Sequence, residues 1–100
     1  MTKKPVRPKA PKRAVIPAGI ASIDAVYDIL ARDLRLPKHF GRNLDALHDT
    51  LTGDVAGPFE IVVEDAKGLQ AALGEKGTAL LTLLRELTGA RADARVKLRR

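Results

Sequence analysis

Three short apolar runs, AVI at 14–16, FEIVV at 59–63 and ARVKL at 94–98, are separated by long stretches whose leucines recur every three or four residues. Nowhere do two of these runs face each other across a two-residue Asn-Gly or Asp-Gly turn, so antiparallel hairpins are not encoded. Strands joined by helices must cross over and run parallel. The pattern therefore predicts an α/β domain: a small three-stranded parallel sheet packed with three to four helices. FEIVV, β-branched on consecutive positions, reads as a strand covered on both faces, whereas ARVKL alternates apolar and basic residues as an edge or half-exposed strand does.

The intervening segments carry their own punctuation. After AVI and a turn at 17–19, Ser22 is placed to cap a helix in which Val26, Ile29, Leu30 and Leu34 share a face, and Pro37 forbids its continuation. This predicts a first helix over 22–34. Asn43 is placed to cap a second, in which Leu44, Leu47 and Leu51 share a face and Gly53 is positioned as a left-handed terminator. A brief helical turn is expected near 65–73. A main covering helix is expected over 78–87, where Leu80, Leu81, Leu83, Leu84 and Leu87 form a broad stripe before Gly89.

One hundred residues with 45% apolar but only 3% aromatic side chains make one small core of Leu, Ile, Val and Ala, with Phe40 and Phe59 as its largest fillers. The absence of cysteine excludes a disulfide framework and any thiolate metal site. No run approaches the roughly 20 apolar residues of a membrane span, and the basic start leads into no signal-peptide core. The expectation is a cytoplasmic protein.

The net charge of +6 is unevenly placed. Residues 1–13 hold six Lys or Arg, three prolines and no acid, a composition that cannot offset the entropy of ordering, and they are read as a disordered basic tail preceding a domain at 14–100. Residues 91–100 are also basic, with five cations against Asp93. Between them, residues 14–90 hold seven bases and eleven acids, a net −4. Basic ends flank an acidic body.

On the second helix Asp45, His48, Asp49 and Thr52 fall at i, i+3, i+4 and i+7, across from the leucines, and form one polar stripe. Two carboxylates one turn apart cost a helix roughly 0.2–0.5 kcal/mol, and only Asp45, in the first turn, gains from the helix dipole. The bland account of such a stripe is a solvated helix face.

The segments IASIDAVYDIL, LPKHFGRNLDALHDTLTG and GPFEIVVEDA, in that order, give the functional alternative. From about 14 to 98 the chain resembles the barstar-type family of intracellular ribonuclease inhibitors. The resemblance implies that the second helix and the loop before it plug the active site of a secreted barnase-like ribonuclease, as an immunity protein, with carboxylates standing where RNA phosphates bind. A cleft built to hold phosphate offers the same donors to a carboxylate. By position, the resemblance makes Asp49 the central carboxylate and Asp45 its companion. It also implies contacts from Gly41 and Asn43 in the loop and a further acidic contact from Glu86. His39, His48 and Asp54 stand where the family carries aromatic contacts, which leaves room for a target other than barnase itself, another secreted ribonuclease or toxin domain.

No cofactor is implied, and the free protein is expected to be a monomer. His39 and His48 lie on either side of a loop-to-helix junction and have no third ligand at metal-site spacing. No phosphate loop or nucleophile motif suggests an enzyme. A second reading, from a different class, is a nucleic-acid-binding protein whose basic tail grips phosphates, helped by Arg95, Lys97, Arg99 and Arg100.

Overall fold

The computed structural model describes residues 12–100. Along the chain run β1 (Lys12–Ile16), α1 (Ile23–Asp33), α2 (Leu44–Asp49) continued by a π-helical turn (Thr50–Asp54), β2 (Phe59–Val63), α3 (Ala66–Leu73), α4 (Glu75–Ala90) and β3 (Ala94–Leu98). The strands form one parallel sheet in the order β1-β2-β3, with Ala14, Ile61 and Val96 in register across it. The α/β architecture with three parallel strands and four helices is the one the spacing predicts.

Strand alternation sorts the sheet into two unlike faces. Ala14, Ile16, Phe59, Ile61, Val63 and Ala94 point into the core, where they meet Val26, Leu30, Leu34, Leu47, Leu51, Leu80, Leu84 and Leu87 from the helices. α1 packs on β1, α4 on β3, and α3 on the back of α4. Arg13, Val15, Glu60, Val62, Arg95 and Lys97 alternate with that set and lie outside the core. FEIVV is buried on both faces, as its β-branched run predicts: Val62, outside the main core, is buried too, with Val15 and Lys97 as its neighbours in the flanking strands.

Local chemistry explains most boundaries. Ser22 caps α1, its Oγ accepting from the Ala25 N–H at 3.2 Å, and Asp65 caps α3 by accepting from the Gly68 N–H at 3.0 Å. Gly74, at φ +64°, makes the abrupt turn from α3 into α4. Gly77 lies so close to α3 that a Cβ there would sit 2.9 Å from Gln70 Cα, which lets the two helices pack tightly.

Several expectations need correction at their ends. β1 begins at Lys12, so Lys12 and Arg13 belong to the strand and not to the tail. They pair with Phe59 and Glu60, and Arg13 Nε donates to Glu60 Oε1 at 3.1 Å. The remainder of the tail reading falls on residues 1–11, outside the described residues. α4 starts at Glu75 and runs through Gly89 to Ala90, so neither Thr78 nor Gly89 bounds it. A single helical glycine costs about 1 kcal/mol, less than the packing of the leucine stripe contributes.

Candidate partner-binding site

The site is built outward from buried leucines. Leu47 and Leu51 are fully buried and fix which way α2 faces. Asp45, His48 and Asp49 then project from its opposite side, all exposed, with the Asp49 side chain 86% accessible. Thr52 shares this stripe, but its hydroxyl donates to the His48 carbonyl at 2.7 Å and is engaged by the helix itself.

Asn43 joins helix to loop. Its Oδ1 accepts from the Ala46 N–H at 2.7 Å, its carbonyl accepts from the Leu47 N–H at 2.8 Å, and its Nδ2 donates to the Gly41 carbonyl at 3.3 Å. The predicted cap is thus present, and it also shapes the loop. Gly41 sits close under α2, where a Cβ would come 3.3 Å from the Ala46 Cβ. His39 is exposed in the same loop. The loop is seated by Phe40, whose ring meets Tyr27 of α1 edge-on at 5.6 Å.

Arg42 lies between these anchors in a left-handed conformation, φ +54°. Its Nη2 donates to Asp28 Oδ1 at 2.9 Å, to Asp24 Oδ1 at 3.4 Å and to the Asp24 carbonyl at 3.3 Å, while the guanidinium lies 5.7 Å from the centre of the Tyr27 ring. The hydrogen bond that Arg42 donates to Asp28 pushes the Arg42 pKa up. The nearest loop cation is therefore held by α1 and does not neutralise α2. Among the described residues Asp45, Asp54 and Glu86 join no ion pair, and Asp49 meets only His48, at 3.7 Å between Oδ1 and Nδ1.

The far end of α2 departs from expectation. Gly53 is not left-handed, and the chain continues through a π turn closed by the Val55 N–H donating to the Thr50 carbonyl at 3.0 Å. Asp54, the last residue of this wider turn, is exposed five residues after Asp49. Arg91, from the end of α4, terminates it. Its Nη1 donates to the Leu51 carbonyl at 3.0 Å and the Val55 carbonyl at 2.6 Å, Nε and Nη2 grip the Asp93 carboxylate at 2.9 and 2.7 Å, and the guanidinium lies over Phe59 at 5.0 Å. Hydrogen bonding from Arg91 pulls the Asp93 carboxyl below its usual range. Arg42 and Arg91 are the two positioning residues that sequence reasoning missed. For Arg91 the only local signal was a base two residues before an acid.

Glu86 stands exposed on α4, the helix against which α2 and the π turn pack. Among the described residues no three His, Asp or Glu side chains cluster to hold a metal, and no helix is long and apolar enough to cross a membrane. What the surface offers is an uncompensated acidic face, carried on a helix locked at both ends.

The sequence pattern of the family described as barstar (barnase inhibitor) matches residues 12–99. The chain is also similar to a protein of Bacillus subtilis (strain 168) named "Putative ribonuclease inhibitor YrdF", with 35% identity over 65 residues, which is 65% of this chain and 71% of that relative.

Proposed function

The chain belongs to the barstar family, and from that premise we propose that it inhibits a secreted barnase-like ribonuclease or toxin domain by occupying its active site with the acidic face of α2. In this reading the protein acts in the cytoplasm as an immunity partner and is a monomer until it meets its target. The single observation that carries the reading is that Asp45, Asp49 and Asp54 remain without a Lys or Arg partner among the described residues, although Arg42 lies in the adjoining loop.

The physical mechanism is substitution. A ribonuclease cleft concentrates Lys, Arg and His to hold phosphate, and carboxylates at a fixed spacing satisfy the same donors with charge-assisted hydrogen bonds. Asp49, the last residue of α2 and highly exposed, takes the central position. Asp45 lies one turn before it, while Asp54, His48, His39 and Glu86 border the contact. Asn43 and Gly41 hold the loop in shape. Because both ends of α2 are fixed before binding, little ordering entropy is lost on association.

The test is RNA cleavage by a panel of secreted microbial ribonucleases, with and without the protein. At least one enzyme should be inhibited, and Asp49→Ala and Asp45→Ala should each weaken that inhibition. Inhibition that ignores both substitutions would remove α2 from the mechanism.

A further inference from the structure

The acidic face leaves unexplained a second concentration of charge, of opposite sign, around β3. Among the described residues this strand is an edge of the sheet and pairs with β2 alone. Arg95 and Lys97 are exposed, alternating with Ala94, Val96 and Leu98, and Arg99 follows in the same alternation, its backbone N–H still donating to the Val63 carbonyl at 2.8 Å. With a rise of about 3.3 Å per residue, such cations recur every ~6.6 Å, close to the phosphate repeat of an extended single strand. On the other side of the same strand a cleft of about 360 Å³ is lined by Lys67, Gln70, Arg85 and Arg100 over a floor of Leu81 and Leu98. Lys67, Arg85, Arg95, Arg99 and Arg100 meet no acid within salt-bridge distance among the described residues. Of the acids along this edge, Glu60 is held between Arg13 at 3.1 Å and Lys97 at 3.6 Å, Asp93 is held by Arg91 at 2.7 Å, and Glu64 follows Glu60 in the strand alternation and is exposed.

Charged side chains on an edge strand also keep sheets from pairing edge to edge. That role accounts for Arg95 and Lys97 but not for Lys67, Arg85 and Arg100, which come from α3, α4 and the chain end to line one cleft. We propose that the β3 edge and this cleft form a second binding surface, for the phosphate backbone of single-stranded RNA. Phosphates would run along Arg95, Lys97 and Arg99 and enter the cleft at Arg100. Phe59, the one aromatic lining the hollow near Arg95, is almost fully buried. With no ring to stack on bases, recognition is electrostatic and independent of sequence. None of these cations belongs to the acidic face, so the surface stays open whether or not α2 is occupied, and the inference stands apart from the inhibitor reading.

The test is fluorescence anisotropy of a labelled single-stranded oligouridine with the full chain, titrated at several salt concentrations. Wild type should bind with an affinity that falls steeply as salt rises. Arg95→Gln with Arg100→Gln, one cation from each side of the strand, should weaken binding roughly tenfold at low salt and flatten the log–log salt slope by about 1.4, the share of two phosphate contacts on a single strand. Arg95→Glu with Arg100→Glu should weaken it further, and melting curves would verify that both variants fold. Absence of binding by wild type would overturn the proposal, as would equal affinity and slope in wild type and the glutamine variant. Concentration-dependent self-association abolished by the same substitutions, without RNA binding, would assign the edge to a second copy of the chain and equally overturn it.

Discussion

The Arg42 guanidinium lies 2.9 Å from the Asp28 carboxylate, so the loop that leads into α2 is tied to α1 by a cation that could otherwise have neutralised Asp45. The pair separates two acidic groups with different fates: Asp24 and Asp28 are compensated internally, while the aspartates of α2 are left for a partner.

Asp49→Ala should weaken inhibition of the target ribonuclease by about 2–5 kcal/mol, a scale established on barstar-type complexes themselves rather than deduced from this structure. That corresponds to roughly thirtyfold or more in the dissociation constant. Melting should be unchanged or slightly improved, because a repulsive pair worth a few tenths of a kcal/mol is removed. A large loss of stability together with the loss of inhibition would show that Asp49 serves the fold.

Arg42→Gln should raise the association rate with a cationic target by roughly two- to fivefold at low salt, since one positive charge leaves the rim of an acidic face. The gain should vanish at high salt. Dissociation should become faster as well, because the loop loses its hold on Asp24 and Asp28. Stopped-flow mixing at two ionic strengths checks both limbs, and an association rate unchanged at low salt would contradict the first.

Arg91→Met keeps an apolar stem over Phe59 and removes both side-chain hydrogen bonds to the Leu51 and Val55 carbonyls, leaving the backbone bond from Val55 to Thr50. Hydrogen bonds from a charged donor to part-buried carbonyls set the expected loss at about 2–3 kcal/mol, measurable by urea unfolding. Amide exchange over residues 50–55 should accelerate more than exchange in β2.

Acid stability should depend on Asp93. Its folded-state pKa is depressed by the hydrogen bond from Arg91. Its stabilising contribution is therefore present above the usual carboxylate range and is lost as pH falls through the depressed value. Asp93→Asn should lower stability at neutral pH, and the gap from wild type should shrink as pH falls below about 4. A gap constant across that range would mean that the carboxylate charge is not what stabilises.

Much of the architecture could be read from single segments. Ser22 and Asn43 cap the helices they precede, and Leu47 and Leu51 are inside, because capping and amphipathic periodicity depend only on near neighbours. The glycine readings at Gly53 and Gly89 did not hold, since a helix ends where its last carbonyls find other partners. Arg91 supplies those partners for α2 from far along the chain, and α4 simply continues through Gly89. The β-branched run of FEIVV did report burial on both faces, since Val62 is buried as well as Ile61 and Val63.

By itself the sequence determined the parallel order, through strands that can be joined only by crossovers, and the side of α2 on which the acids stand, through the spacing of its leucines. Only the tertiary structure decided which charges remain uncompensated. Periodicity directs a side chain within its own helix, but ion pairing depends on separations of a few ångströms between residues distant in sequence. Packing α1 beside the loop brought Arg42 to Asp28 and left Asp45 and Asp49 facing outward.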